Sequence, residues 1–310
     1  MLLRVLLLSL VWMPAGWAGD LYKWQDENGI WHFSDKPPAS QAQEYESVAL
    51  PVEPSPMVSM RKGGTRQEPA HLFFNHYWGP AELEIRLNMA ENIRSTPVLP
   101  ARVVLPPQEE RQVVQLSPVD PAQGFRYQLA YTLVPGPPLA ALPEDMDFYP
   151  PFPSGLEFPI SQGFAGGPTH SDGANRYAVD IVMPTGTPVL TARGGLVMET
   201  EDDFHGGEQS QRFLDRANRV RILHDDGSMA VYAHLQENSV RIYPGVKIPS
   251  GTWIASSGNT GFSSGPHLHF VVQVNAGLSL ESIPFRFRAP GGGTISPEGP
   301  GMVSGVLTSP

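Results

Sequence analysis

Cysteine is absent from the 310-residue chain. Its absence excludes disulfide bonds, thiolate metal ligands, thiol nucleophiles and a lipid-bearing N-terminal cysteine. Any metal ion bound by this protein must therefore be held by histidine and carboxylate side chains.

Positive charge and helical periodicity are also scarce. The chain has 21 Lys and Arg against 31 Asp and Glu, a formal net charge of −10, which argues against a general nucleic-acid binder because such proteins present basic surfaces. No sustained 3.6-residue periodicity follows the first residues, and the 33 prolines and 31 glycines favour short strands joined by turns. We therefore expect a mainly β protein of two or three units.

A single apolar run, at the N-terminus, is long enough to matter for targeting. Residues 1–18 contain Arg4, the apolar stretch Val5–Met13, and the small residues Gly16 and Ala18. This pattern predicts a signal peptide cleaved after Ala18, and a retained anchor is the alternative. The run is short for a bilayer span, so we expect an exported, periplasmic mature protein without a stable transmembrane span.

Residues 19–38 are rich in aromatic side chains around Asn28-Gly29, which is a strong turn sequence for a β-hairpin. The stretch resembles a short domain of unknown function found at the N-terminus of many exported bacterial proteins. The features it shares are Tyr22-Lys23-Trp24, Asn28-Gly29 and Ser34-Asp35-Lys36-Pro37. We predict a small structural hairpin module, with an aromatic ligand platform as the alternative.

The middle of the chain alternates polar and apolar residues in short segments. Residues 39–68 are polar and proline-rich and predict a linker. Residues 69–150 carry strand-like segments separated by proline and glycine, which predict a small β-sandwich. We interpret its His71 and His76 as ordinary strand residues, and a spacer, a substrate-positioning domain and an occluding domain stay open. Residues 289–310 are rich in glycine, proline and serine and predict a flexible tail.

The stretch 258–274 reads as a Gly/Ser loop that runs into a strand. Because successive strand side chains point to opposite faces, His267 and His269 share one face. The apolar set on the other face is Leu268, Phe270, Val272 and Val274. Two histidines side by side on a strand are a natural start for a metal site, and a pair of surface histidines is the alternative.

Two further residues could complete such a site. His170 lies in a glycine-rich loop, and Asp180 lies on a predicted strand with Ala178 and Val182 on its face. A carboxylate among apolar neighbours is costly unless it is paired or bound to metal. Metal ligation and a hydrogen bond to a loop amide or an arginine both satisfy that requirement.

Residues 219–224 and 229–234 form a predicted β-hairpin. His234 ends its second strand, and we expect it to share a face with Ala230 and Tyr232.

A long polar insertion precedes this hairpin, from about Glu199 to Arg216, and contains His205. His205 and His224 lack a matching chemical context. We interpret both as solvent-exposed or structural.

Three ordered motifs carry a resemblance to a known family, and they are Gly186-Thr187-Pro188-Val189, Tyr232-Ala233-His234-Leu235 and Gly265-Pro266-His267-Leu268-His269-Phe270. In this order they resemble the lysostaphin/LytM-type zinc metallopeptidases, over roughly residues 155–288. The resemblance implies an antiparallel β-sheet domain with an active-site groove and the cleavage of peptide bonds in bacterial peptidoglycan. We therefore predict a zinc metallopeptidase domain over residues 151–288.

The resemblance also implies residue roles. By position, Asp180 and His269 would be zinc ligands, while His234 and His267 would be catalytic histidines that do not bind the metal. The family usually shows His-x-x-x-Asp, but that spacing lands on Arg176. His170 lies ten positions before Asp180, and a longer loop would bring it to the metal. We expect Zn²⁺ to be held by His170, Asp180 and His269.

The expected function is that of a secreted zinc metalloendopeptidase that hydrolyses cross-links or stem peptides of peptidoglycan. The alternative is a non-catalytic envelope protein that binds and activates another cell-wall hydrolase, and in such proteins the metal ligands are typically lost. A protease for another exported peptide is a third candidate. The enzyme is favoured because three ligands and two catalytic histidines can all be assigned.

Overall fold

The computed structural model describes most of the chain, namely residues 20–25, 31–34, 38, 44–49, 54, 56–144, 146–167 and 169–308. The chain divides into two compact units, residues 1–53 and 54–310. The predicted signal peptide, residues 1–18, and the predicted turn Asn28-Gly29 lie outside the described residues. Within the described ranges, no helix has both the length and the apolar character needed to cross a bilayer.

The N-terminal unit contains a three-stranded antiparallel sheet in the order β2-β1-β3. Its strands are β1 (Asp20–Gln25), β2 (Trp31–Ser34) and β3 (Glu46–Ala49). Strands β1 and β2 pair antiparallel, as the predicted hairpin requires, and Trp24 stacks on His32 with ring centroids 5.4 Å apart. The third strand comes from the range 39–68, which we predicted as a linker.

The second unit consists of further strands and one short 3-10 helix, η1 (Gln211–Phe213). Those of its N-terminal part, here called the sandwich domain, are β4 (Val58–Gly64), β5 (Pro69–Asn75), β6 (Ala81–Glu91), β7 (Ile93–Thr96), β8 (Ala101–Leu105), β9 (Glu110–Pro118) and β10 (Arg126–Pro135). Those of the remainder, here called the C-terminal domain, are β11 (Asp147–Phe148), β12 (Glu157–Gln162), β13 (Val179–Ile181), β14 (Pro188–Leu190), β15 (Gly195–Glu201), β16 (Arg219–Leu223), β17 (Met229–Ala233), β18 (Lys247–Ile248), β19 (Trp253–Ser256), β20 (Leu268–Asn275), β21 (Leu280–Ser282), β22 (Arg286–Arg288), β23 (Thr294–Ile295) and β24 (Gly301–Ser304).

The sandwich domain confirms the β-sandwich prediction. Its two antiparallel sheets have the strand orders β4-β5-β9-β7 and β10-β6-β8. Their inner faces share a buried cluster of Val58, Phe73, Leu83, Ile85 and Leu105. Strand β4, like β3, lies in the predicted linker, so that prediction was wrong for residues 46–49 and 58–64. Neither strand contains proline. Each is stabilised by hydrogen bonds to a neighbouring strand, and the composition of the segment alone does not predict that pairing.

The C-terminal domain is organised around a nine-stranded sheet. Its order is β18-β15-β16-β17-β20-β13-β12-β24, with β21 paired to β20, and every pairing is antiparallel. Two smaller sheets flank it, β14-β19 and β11-β22-β23, and in the latter β11 pairs with β22 in parallel. The expected antiparallel β architecture is thus confirmed.

The two faces of this sheet have different chemistry. One face packs into the main core, to which the central strands contribute Val179, Ile181, Val220, Ile222, Ala230, Tyr232, Leu268, Phe270 and Val272. Residues paired across a sheet share a face. The opposite face therefore carries a row whose members stand opposite one another in register: Glu201, Arg219, Ala233, His269 and Asp180. We call this set the polar row.

Both predicted boundaries of the C-terminal domain need correction. Met146, Phe148 and Phe152 belong to its core, so the domain begins before residue 151. The predicted flexible tail, residues 289–310, contains β24, which pairs with β12. Val303 on that strand is 1% exposed and joins the same core. The glycine-rich composition of this segment did not predict the burial of Val303, because that burial depends on pairing with β12, far earlier in the sequence.

The sandwich domain contacts the C-terminal domain through the segment after β5. Tyr77 packs with Ala81, Met198 and Met229 in one buried cluster. The backbone N–H of Trp78 donates to the carbonyl oxygen of Met198 at 3.1 Å. The sandwich domain thus covers part of the large sheet where β15 and β17 lie.

The buried position of Val303 predicts that the C-terminal strand stabilises the domain. Val303→Ala should lower the free energy of unfolding by about 2 kcal/mol, because two buried methyl groups are lost. Met302→Ala on the same strand is the matched control, since Met302 is 49% exposed. Urea denaturation measures both, and equal, negligible effects would show that the segment behaves as a tail.

Candidate metal centre

Asp180 and His269 face each other across two neighbouring strands. They are register partners in the β13–β20 pair, and His269 Nδ1 lies 2.9 Å from Asp180 Oδ1. Both strands alternate, so their apolar residues fill the core and these two polar residues project from the opposite face. The predicted faces of Asp180 and His269 are therefore confirmed.

His170 reaches the same point from the loop between β12 and β13. The side chain is fully buried, and its Nε2 lies 3.4 Å from Asp180 Oδ1. Its Nδ1 lies 2.9 Å from the carbonyl oxygen of Gly163. A carbonyl oxygen can only accept a hydrogen bond, so Nδ1 carries the proton and Nε2 keeps its lone pair. Arg176, at the usual family spacing, is exposed.

The three residues fit a metal ion. One ligand atom from each of His170, Asp180 and His269 lies within 4.8 Å of the others. His170 Nε2 is buried and has no hydrogen-bond partner, which is costly unless the atom binds something. Two imidazoles and one carboxylate form a donor set suited to zinc-like metals that keep an open coordination position.

His234 and His267 lie together beside these three residues. Their ring centroids are 4.5 Å apart, and the His234 ring is 5.8 Å from that of His269. His234 Nδ1 donates to the carbonyl oxygen of Thr260 at 2.7 Å, and His267 Nδ1 donates to that of Gly265 at 2.8 Å. In both rings, Nε2 is left as the group available to a ligand.

The alternation-based face of His234 was wrong. Tyr232 and Ala230 point into the core, whereas His234 contacts the histidines on the opposite face. Strand β17 ends at Ala233, and His234 has φ of 61°. This left-handed conformation is uncommon outside glycine and costs free energy that the surroundings must offset. It turns the imidazole towards His267 and His269.

Electrostatics keep the carboxylate charged and His234 neutral. Burial raises the pKa of Asp180, but the surrounding histidines, among them His170 and His269, outweigh that effect and hold this pKa below its usual range. Burial, together with the neighbouring His267 and His269, lowers the pKa of His234 to about 3. At neutral pH, His234 Nε2 is consequently an acceptor.

An open cavity of about 420 Å³ borders the site on the β12–β13 side. Its lining residues are Ser161, Gln162, Asp180, Val182, Ser264, Gly265, Pro266 and His267. Because Asp180 and His267 form part of the wall, a molecule in this cavity would touch the candidate metal centre directly.

The other histidines that we singled out lie outside this cluster. His71 Nε2 lies 3.1 Å from the hydroxyl of Tyr127, and His76 contacts Ser59. His205 pairs with Glu237. His224 is fully enclosed, and burial lowers its pKa to about 4. These contacts accord with structural roles.

Sequence reasoning missed the acidic end of the polar row. Glu199 and Glu201 belong to β15, whereas we assigned them to the polar insertion, which begins at residue 202. The alternation of Glu199 with Glu201, and of Arg219 with Arg221, was a readable strand pattern.

Comparisons with known proteins identify the family of this domain. Residues 174–279 match Peptidase family M23, and residues 8–60 match a domain of unknown function, DUF4124. The chain therefore contains a peptidase family M23 domain, homologous to lysostaphin/LytM-type peptidoglycan endopeptidases. The match begins after His170, so it does not test the role of that residue.

Individual relatives match the same part of the chain. Lysostaphin of Staphylococcus simulans is 31% identical over 142 residues, which are 44% of this chain and 27% of that protein. Peptidoglycan DD-endopeptidase ShyA of Vibrio cholerae is 37% identical over 97 residues, 31% of this chain and 20% of that protein. The chain thus spans only about a quarter of the length of these curated relatives. The solved catalytic domain of Staphylococcus simulans lysostaphin has a TM-score of 0.27 and 29% identity, covering 41% of this chain and 77% of that one.

The role of His170 can be tested with Zn²⁺ as a probe. His170→Ala should weaken Zn²⁺ binding by more than about 100-fold, since even residues that only support a ligand are worth 10- to 100-fold. Competition with a chromophoric chelator measures the affinity. Arg176→Ala is the control and should bind as the wild type does. If His170→Ala binds Zn²⁺ as tightly as the wild type, or if Arg176→Ala loses Zn²⁺ binding, His170 is not the ligand.

Proposed function

We propose that this protein is an exported zinc metalloendopeptidase that hydrolyses peptide bonds in bacterial peptidoglycan. The observation that carries the proposal is the convergence of His170, Asp180 and His269 beside the His234–His267 pair. Homology to peptidoglycan endopeptidases supports the substrate class. The pattern of residues 1–18 and the DUF4124 match support export.

The three ligand residues would hold Zn²⁺ through imidazole nitrogen and carboxylate oxygen. When bound, Zn²⁺ polarises the scissile carbonyl and lowers the pKa of a water molecule. Asp180 stays ionised in this site because His269 donates to it and the surrounding histidines hold its pKa below its usual range, so it offers a negative charge to the cation. The hydrogen bond of His170 to Gly163 fixes the ring so that Nε2 faces the metal position.

His234 and His267 supply the proton transfers. Each imidazole donates Nδ1–H to a backbone carbonyl and presents Nε2 to the site. An unprotonated Nε2 accepts a proton from the attacking water. Once protonated, the same atom donates a hydrogen bond to the developing oxyanion or a proton to the leaving amine. The division of these roles between the two rings depends on how the substrate lies.

The cavity beside Asp180 and His267 is where part of the peptide would bind. It places Ser161 and Ser264 near the reacting bond as polar contacts, and Val182 as an apolar one that is 40% exposed. A peptide backbone at this position would lie within reach of the histidine pair.

Digestion of purified peptidoglycan tests the function. The mature chain, residues 19–310, loaded with Zn²⁺, should release soluble fragments with newly formed amino and carboxyl termini, identified by mass spectrometry. His267→Ala should bind Zn²⁺ normally but lower kcat by about 100-fold or more, because it removes a proton-transfer group and no metal ligand.

His205→Ala is the matched control and should digest at the wild-type rate, since His205 lies outside the metal cluster and pairs with Glu237. Absence of any new termini with the fully metal-loaded chain would refute the enzyme. It would favour a protein that binds and activates another cell-wall hydrolase.

A further inference from the structure

Two acidic side chains at the end of β15 have no role in the metal centre. Glu201 is 8% exposed, and among the described residues no hydrogen bond or ion pair holds its carboxylate. Asp203 Oδ1 is buried without a hydrogen-bond partner. A buried carboxylate oxygen without a donor is costly, so Asp203, whose charge acts on the nearby Glu201, is suited to receive a donor from outside the chain.

The polar row connects these residues to the metal centre. Glu201 stands opposite Arg219, which stands opposite Ala233, which in turn stands opposite His269. Three strand spacings separate Glu201 from His269, a distance of about 14 Å. This equals about four residues of extended peptide, so a peptide bound at the metal centre and lying along the row would reach Glu201.

The charges nearby leave this end of the row negative. Glu199 accepts from both arginines, at 2.7 Å from Arg219 and 3.0 Å from Arg221. Both guanidinium groups are thus already engaged by Glu199. With Glu201, Asp202 and Asp203 ionised, the carboxylates here outnumber the two guanidinium groups, so this end of the row is negative. Burial raises the pKa of Glu201 to about 7, opposed by Arg219 and assisted by Glu199 and Asp203.

The complementary ligand is a cation with several N–H donors. A primary ammonium group has a positive charge and three donors, which suits a negatively charged site and the buried Asp203 oxygen that lacks a donor. Calcium and magnesium are less suitable, because they require six or more oxygen ligands. Asp203 is only half-buried, so a ligand would reach the site from the side of Asp203.

We propose that Glu201 and Asp203 form a subsite for a primary ammonium group on the peptide substrate, about 14 Å from the metal centre along the polar row. The inference rests on the proposed function, because it assigns a chemical feature to the substrate of the same site. The peptide is thereby recognised by a free amine as well as by its backbone at the metal.

Hydrolysis of paired substrates tests the subsite. One peptidoglycan fragment carries a free side-chain amine, and its partner is the same fragment acetylated at that amine. The wild type should show a KM about tenfold lower for the free amine, the scale of one hydrogen bond to a charged group. In Glu201→Gln and Asp203→Asn this preference should disappear through KM, with kcat unchanged.

Glu208→Gln is the matched control. Glu208 lies on the same insertion, is exposed and pairs with Arg212. Its variant should keep the wild-type preference. A wild type that hydrolyses both fragments with the same KM, or a preference that survives in Glu201→Gln, would overturn the subsite.

A binding measurement separates this inference from the enzyme itself. The probe is a short lysine peptide blocked at both ends, with its ε-acetyl analogue as control, added to the full mature chain and followed by NMR. The backbone amides of Glu201 and Asp203 should shift with the lysine peptide only, and Glu201→Gln should abolish the shift. If that shift occurs without hydrolysis of any fragment, the subsite stands and the peptidase proposal fails. If hydrolysis occurs but neither the NMR shifts nor the KM depends on the free amine, the peptidase proposal stands and the subsite is overturned.

Discussion

The pairing of β13 with β20 is the constraint on which the candidate site depends. Val179 and Phe270 are register partners, and so are Asp180 and His269. The first pair fills the core, and the second stands on the opposite face. A slip of one residue would move the polar pair into the core and the apolar pair out of it. Burial of apolar side chains therefore sets the geometry of the ligands on the other side of the sheet.

Backbone carbonyl oxygens then orient the remaining imidazoles. The carbonyl groups of Gly163, Thr260 and Gly265 each accept a hydrogen bond from Nδ1 of a different histidine. This arrangement selects the tautomer and directs Nε2 towards the site without placing a further charge there. The conformation of the loops, rather than a set of charged side chains, therefore fixes the orientation and the tautomer of these three imidazole rings.

The same sheet face has two different electrostatic environments along the polar row. At one end Asp180 is surrounded by histidines, which hold its pKa low. At the other end Glu201 stands opposite Arg219, whose guanidinium group already binds Glu199, and burial raises the pKa of Glu201 to about 7. Tyr77 of the sandwich domain packs against this face as well, and burial beside Glu199 raises its pKa to about 12. The sandwich domain thus contacts the face that carries the polar row, which a simple spacer would not do.

The sequence by itself determined the β architecture, the faces of Asp180 and His269, and the residues that come together in the candidate metal centre. Those features follow from two-residue periodicity and from motifs, which are local. The tertiary structure decided the side of His234, the arrival of His170 through its loop, the strands within the predicted linker and tail, and the burial of Glu201 beside an arginine that Glu199 already binds. Each of these depends on a partner far away in sequence: a backbone turn held by neighbouring loops, a carbonyl group, a sheet edge, or an arginine already bound to another carboxylate. Local patterns specify which face a strand residue takes, but only the assembled sheets specify what that face meets.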